Sequence, residues 1–201
     1  MLIIGLTGSI GSGKSLATKC FKSLGVPVQD SDAEVHKLLS ENQELIAEIQ
    51  ARWPTAVEDN TVICYKLGEI VFADSSELKR LEQMIYPHLH KVHRSFLSQH
   101  CRTKTPLVVI DMPLLFETGF DQYMDVNVCV YADDDLRLQR VIRREHMSVK
   151  KFKQRDSFQM PQEEKIKRAD VVLHSGLDKG HMMRQVKALV LELQGQKGDK
   201  W

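Results

Sequence analysis

The chain has 201 residues, 42% hydrophobic and 27% charged, with a formal net charge of +1. That balance fits an ordinary globular protein with a substantial core and room for an inserted subdomain, and it excludes an intrinsically disordered chain. Neither the basic surplus of a nucleic-acid binder nor the ~18 consecutive apolar residues of a membrane span is present.

The first predicted element is a strand over Leu2-Ile3-Ile4-Gly5-Leu6. Its apolar run has no basic residues before it and is broken by glycines, so neither a signal peptide nor a membrane anchor is expected. Gly8-Ser9-Ile10-Gly11-Ser12-Gly13-Lys14-Ser15 follows and fits G-x-x-x-x-G-K-[ST], and a helical segment runs from Leu16 to Leu24. Strand, loop and helix in that order make a phosphate-binding loop. Glycines let successive backbone N–H groups turn inward toward phosphate oxygens, and the positive end of the next helix reinforces them. Lys14 then reaches the β- and γ-phosphates of a nucleoside triphosphate, and the Ser15 hydroxyl ligates Mg²⁺.

Gly25 ends the helix, and Val26 to Gln29 reads as a second strand. Asp30-Ser31-Asp32 places two carboxylates at a strand's carboxyl end, where α/β sheets bind ligands. One of them, or Ser31, also suits the cap of a helix from Ala33. Residues 33–101 read as an insertion of helices over Ala33 to Ser40, Gln43 to Trp53, Tyr65 to Phe72 and Ser76 to about Gln99, with an extended piece at Thr61-Val62-Ile63. Pro54 and Pro87 break or bend that pattern. His88, His90, His93 and His100 lack the companion ligands of a zinc site, so the expectation is a solvated basic helix face.

The sheet resumes at Leu107 to Ile110 and closes on Asp111, an acid placed to hold a metal or to brace the loop. Val126 to Tyr131 is the fourth core strand. Asp133-Asp134-Asp135 offers acidic capping to a helix bearing Arg137, Arg140, Arg143 and Arg144. Arg140 and Arg144 lie four apart on one face, suited to offsetting charge on a transferring phosphoryl group, or forming a solvated basic face. The charged stretch from Val149 ends in a helix begun by Pro161, Asp170 to Leu173 forms the fifth strand, and Lys179 to Leu193 the last helix. Gly195 to Trp201 reads as a fraying tail. Cys20, Cys64, Cys101 and Cys129 show no C-x-x-C spacing, which suits a reducing, cytoplasmic setting.

Taken in order, these motifs resemble the dephospho-CoA kinase family, whose fold is similar to that of the nucleoside monophosphate kinases. The opening Gly5 to Ser15, Asp30-Ser31-Asp32, Leu81 to Pro87, Pro113-Leu114-Leu115-Phe116-Glu117, Arg140 with Arg144, and Gln159-Met160-Pro161 through Lys165 to Asp170 all carry the resemblance, which extends to about residue 176. Ser9, Leu16, Tyr86 and Ser175 depart from the family's usual residues, and Tyr86 replaces a histidine before Pro87.

The resemblance implies an α/β fold: a three-layer P-loop NTPase core with a five-stranded parallel sheet, an inserted helical acceptor-binding region and a helical lid. The core then comprises residues 1–32, 102–139 and 166–201, the acceptor region 33–101 and the lid 140–165. It implies transfer of the γ-phosphoryl of ATP to the ribose 3′-hydroxyl of dephospho-CoA, the last step of coenzyme A synthesis. Lys14, Asp32 and Arg140 are then catalytic, with Asp32 as the base. Gly8, Ile10, Gly11, Ser12, Gly13, Lys14, Ser15, Leu16 and Arg144 bind ATP, and Asp32, His36, Tyr86, Pro87, Leu114, Leu115, Glu117, Gln159 and Lys165 the acceptor. Mg²⁺ falls to Ser15 and, through water, to Asp32. Small-molecule substrates, no nucleic acid or membrane, and a monomer or weak homo-oligomer complete the expectation. A GTPase switch would carry N-K-x-D, which is absent from the sequence, and a nucleic-acid-dependent ATPase would interleave aromatics with a basic stripe. A kinase for another small acceptor shares the core, and only the Pro113–Glu117 and Gln159–Asp170 phrases argue against it.

Overall fold

The computed structural model describes residues 1–145 and 147–200. His146, inside the expected lid, and Trp201, at the end of the expected tail, lie outside the described residues. In chain order the first half holds β1 (Leu2–Thr7), α1 (Lys14–Ser23), β2 (Val28–Asp30), α2 (Ser31–Glu41), α3 (Gln43–Arg52), a single turn at Pro54–Ala56, β3 (Val57–Glu58), β4 (Thr61–Val62), α4 (Cys64–Ala73) and α5 (Ser75–Arg102). The second half holds β5 (Leu107–Asp111), a turn at Phe120–Tyr123, β6 (Val126–Tyr131), α6 (Asp134–Ile142), α7 (Val149–Asp156), α8 (Gln162–Arg168), β7 (Val171–His174) and α9 (Lys179–Leu193). Two compact units divide the chain, Met1–Gln29 with everything from His100 onward, and Asp30–Gln99.

The first unit is built on a five-stranded parallel sheet in the order β2-β5-β1-β6-β7. Every residue of β1 is buried, as a central parallel strand covered on both faces requires. It runs beside β5 with Leu6 opposite Asp111, and beside β6 with Thr7 opposite Cys129. Leu2, Ile4 and Leu6 join Ala17, Cys20 and Phe21 of α1 and Met182, Val186 and Leu189 of α9 in one core. On the opposite face Gly5 leaves room for larger neighbours. A Cβ there would stand 2.7 Å from Met124 Cγ and 2.8 Å from Leu115 Cδ2.

Helix α1 starts at Lys14, two residues before the predicted start, because Gly13 takes the left-handed conformation at φ 97° and caps it. Its end is a Schellman motif: the Gly25 amide donates to the Lys22 carbonyl at 3.0 Å and the Val26 amide to that of Phe21 at 3.1 Å, with Gly25 at φ 77°. The C-terminal segment departs from the expected fraying tail. The Asp199 and Lys200 amides donate to Asp125 Oδ1 at 2.8 and 3.2 Å, while Asp125 Oδ2 accepts from the Ile3 amide at 2.7 Å.

In the second unit Asp30 caps α2, its side chain accepting from the Ala33 amide at 3.1 Å, so the helix begins two residues ahead of Ala33. Asn42 caps α3 in the same way through the Leu45 amide at 2.9 Å. Leu45, Ile46 and Ile49 of α3 are fully buried. Strands β3 and β4 form an antiparallel hairpin that only Thr61-Val62-Ile63 hinted at. Asp59 and Asn60 turn it with φ of 46° and 57°, the paired positive angles of a tight hairpin that Asp and Asn tolerate.

The histidine reading needs correction. His88 and His93 are buried, at 6% and 4% exposure, in a stripe with Leu81, Ile85, Leu89 and Leu97 along α5. Three- and four-residue steps from Ile85 and Leu89 put both rings on the core face, and His90 alone faces outward. His88 Nδ1 lies 3.3 Å from Asn42 Nδ2, so it helps to hold the cap of α3. Pro87 does not end α5, which continues through it to Arg102, with the apolar stripe running on either side.

Candidate active site

The carboxyl ends of β1, β5 and β7 and the start of α6 converge on the glycine loop. Sheet register explains why: Asp111 closes β5 beside Leu6, one residue before Thr7 leads into the loop. The Ser175 amide extends the β7 ladder to the Tyr131 carbonyl at 2.9 Å. This is the sheet edge at which open α/β folds bind ligands.

Loop geometry demands two of its glycines. Gly11 and Gly13 sit at φ 81° and 97°, and a Cβ would meet the Arg137 carbonyl oxygen at 2.6 Å and Ser175 Oγ at 2.8 Å respectively. Larger residues would be both strained and blocked. The carbonyls of the loop are held from outside. Arg137 Nε donates to the Ile10 carbonyl at 3.0 Å, and Arg140 Nη1 to those of Gly11 and Ser12, each at 3.3 Å. Arg140 continues to Ser175 Oγ at 2.8 Å and to the Ser175 carbonyl at 2.5 Å, and the Ser175 hydroxyl itself donates to the Ser12 carbonyl. A loop that is to receive an anion must turn its carbonyls away from it, and this is what those donors enforce.

The Lys14 ammonium pairs with Asp111. The second oxygen of that carboxylate lies 2.6 Å from Thr18 Oγ1, which is also 3.0 Å from the Lys14 carbonyl. A hydroxyl has one proton, and the charged acceptor is the stronger claim on it. Asp111 therefore braces Lys14 and the first turn of α1, one of the two roles its sequence position left open. Ser15, in the same turn, is exposed, and Leu16 is half-buried.

Beyond the loop, Gln159 Oε1 accepts from the Ile10 amide at 2.9 Å. Glu117 Oε1 accepts from the Met160 amide at 2.7 Å and from Lys165 Nζ at 2.8 Å, and Lys165, fully buried, also donates to the Pro113 carbonyl at 2.8 Å. Thr7 Oγ1 donates to that same carbonyl at 2.9 Å. Leu115 is buried against Gly5, whereas Leu114 is half-exposed. Arg144 is exposed just past α6.

The expected residues of the second unit lie on two helices. Asp32 and His36 are exposed, one turn apart on α2, and Tyr86 and Pro87 adjoin on α5. Sequence reasoning missed Thr18 and Arg137 as site residues and noted Ser175 only as a departure. Thr18 carried a signal, lying one helical turn beyond Lys14, whereas Ser175 sits 163 residues from its partner Ser12 and no local pattern links them.

A glycine loop with outward carbonyls held by an arginine of α6, its lysine braced by a strand-end acid, defines the nucleotide site of a P-loop kinase. The sequence profile of the dephospho-CoA kinase family matches residues 2–178. Curated dephospho-CoA kinases of Rhodopseudomonas palustris (strain HaA2) and Mesorhizobium japonicum are 39% and 40% identical to it, over 96% and 98% of this chain and 94% and 100% of theirs. A solved protein of Thermus thermophilus superposes with a TM-score of 0.85 at 36% identity, covering 96% of this chain and 98% of its own. The chain belongs to the dephospho-CoA kinase family and is a kinase of the final step of coenzyme A biosynthesis.

Proposed function

We propose that the loop from Gly8 to Ser15 holds the phosphates of ATP and that Lys14 and Arg140 offset the charge that spreads over the γ-phosphoryl as it moves to the ribose 3′-hydroxyl of dephospho-CoA. Asp32 accepts the proton of that hydroxyl, the new P–O bond forms at the ribose oxygen, and the bond to the β-phosphate oxygen breaks to release ADP. The observation that carries this reading is the guanidinium of Arg140, bonded to two carbonyls of the loop and to Ser175. It is a fixed positive charge at the phosphate loop, and preorganised charge is where most phosphoryl-transfer catalysis lies.

Mg²⁺ fits the donors at hand. The Ser15 hydroxyl and, through water, the Asp32 carboxylate would offer hard oxygen ligands, and no cluster of three or more His, Cys, Asp or Glu among the described residues could hold a metal alone. That donor set suits an ion held jointly with substrate phosphates. Bound there, Mg²⁺ would neutralise β- and γ-phosphate charge. His36, Tyr86, Pro87, Leu114, Leu115, Glu117 and Lys165 bind or shape the acceptor site, and residues 140–165 serve as a lid that excludes water. The chain works in the cytoplasm as a monomer or weak homo-oligomer. No helix among the described residues is long and apolar enough to cross a membrane.

The test is a product assay with MgATP and dephospho-CoA, reading the thiol product by mass spectrometry and ADP with and without acceptor. Acceptor-dependent ADP and a singly phosphorylated product are expected. ADP release that ignores the acceptor overturns the reading. Asp32→Asn should abolish transfer while ATP binding persists, and wild-type turnover in that variant would remove Asp32 from the chemistry.

A further inference from the structure

Arg137 is the most deeply buried guanidinium described, at 2% exposure, yet neither the phosphoryl-transfer scheme nor the sequence motifs use it. It engages four separate features, three as a donor and one by stacking. Nε reaches the Ile10 carbonyl at 3.0 Å, Nη1 reaches Asp134 Oδ1 at 2.7 Å, Nη2 pairs with Asp156 at the end of α7, and its Cζ stands 5.5 Å from the centroid of the Phe152 ring. The other side of the Ile10 residue is held from the same direction in sequence, its amide donating to Gln159 Oε1 at 2.9 Å. Both polar backbone groups of one phosphate-loop residue are thus tied to the segment from α6 to the start of α8.

We propose that Arg137 and Gln159 are positioning residues that together clamp the Ile10 backbone, and that through Asp156 they make the phosphate loop's grip on nucleotide depend on the docking of α7. The argument is geometric. An anion nest works only while its carbonyls stay outward. Ile10 lies in the middle of the loop, next to Gly11, whose backbone has no Cβ to hold its φ at 81° once the neighbouring contacts are lost. Released from Arg137 and Gln159, the Ile10 peptide groups can rotate, and the nest must be re-formed each time nucleotide binds. The cost falls on affinity for the triphosphate, because the two bonds of the clamp end on the backbone of the loop that holds it. Arg suits the task as Lys does not. A planar guanidinium addresses a carbonyl and two carboxylates at once, along fixed directions, while lying over an aromatic ring.

The inference rests on the kinase reading, so the experiment reads nucleotide binding directly as well as turnover. Full-length Arg137→Met, Gln159→Leu and Gln159→Glu are titrated with ATP by calorimetry without acceptor, then assayed with MgATP and dephospho-CoA. Met and Leu keep the apolar bulk of the side chains and remove the donor and the acceptor; Glu restores an acceptor for the Ile10 amide. Arg137→Met and Gln159→Leu should each weaken ATP binding about tenfold, the change given by loss of a ~1.4 kcal/mol interaction. KM for ATP should rise in step in both, kcat and KM for dephospho-CoA should stay within about threefold of wild type in Arg137→Met, and Gln159→Glu should recover most of the ATP affinity. Unchanged ATP affinity in folded Arg137→Met and Gln159→Leu overturns the proposal. So does a rise in KM for dephospho-CoA alone, which would make Gln159 an acceptor contact. A variant that fails to fold is replaced by Asp156→Asn, which weakens the same latch from the partly exposed side and must show the same ATP-specific effect. Absence of acceptor-dependent turnover in the wild type would instead strike the kinase reading, leaving the binding titration to judge the clamp.

Discussion

Thr18 shows how a single buried oxygen sets the working geometry of a charged residue. Its hydroxyl lies 2.6 Å from Asp111 Oδ2, and the other oxygen of that carboxylate holds Lys14. With Asp111 only 2% exposed, water cannot replace the lost donor. Thr18→Val keeps the shape and removes the proton, so the expected loss of stability is about 1.5–3 kcal/mol, the range for a hydrogen bond to a charged group. Urea unfolding reads it as a lower midpoint at unchanged slope. At this scale the sequence was informative where spacing is local: Lys14, Ser15, Gly11 and Gly13 follow from the loop pattern alone. It was silent where a partner lies far away, as with Ser175 on Ser12 or Glu117 on Lys165. Nothing in the neighbourhood of Lys165 announces that its ammonium is fully buried.

Among the elements, α5 carries the clearest consequence. Burial, with a smaller contribution from the charge of His90, pushes the His93 imidazole down to about 4 from its ordinary 6.5. Between those values the unfolded chain binds a proton that the folded chain refuses, so stability falls as pH drops from 6.5 toward 4 and is unaffected above 6.5. The loss approaches about 3 kcal/mol at the acid end. Denaturation of wild type and His93→Leu across that range checks it, since the variant should lose this part of the pH slope and a parallel pair of profiles would refute it. The same helix explains a failure of sequence reading. Four histidines in thirteen residues look polar by composition, yet His88 and His93 fall on the apolar repeat of Leu81, Ile85, Leu89 and Leu97. Periodicity outranks residue type when a helix has a core to face. Helix starts were misplaced for a related reason: Gly13 and Asp30 cap α1 and α2 ahead of the first apolar residue. Helix α7 escaped notice because it is mostly charged and buries only Phe152.

For the molecule as a whole, the cysteines give a direct reading of packing. Cys20 and Cys129 are buried, and burial pushes the Cys129 thiol up to about 11, while Cys64 and Cys101 are exposed. Iodoacetamide at neutral pH should therefore label two thiols in the native protein and four after denaturation, counted by intact mass. Labelling of Cys129 in the native state would contradict the sheet packing described. Strands β1 and β5 were legible because every residue of each is buried and the runs are almost continuously apolar, but the order of the strands in the sheet was not. Local pattern carries no information on which strand lies beside which.

That order has a consequence in time. β1 is synthesised long before either of its neighbours: Leu2 pairs with Leu107, and Thr7 with Cys129. At ~5–20 residues per second, a growing chain holds Leu2-Ile3-Ile4-Gly5-Leu6 without either flanking strand for on the order of ten seconds. Residues 30–99, contiguous in sequence, are complete before the sheet can close. The stretch that leads into the phosphate loop is thus made well before it can be buried, and it is on the ribosome, more than in the finished enzyme, that this sequence is most exposed to aggregation and most in need of a chaperone.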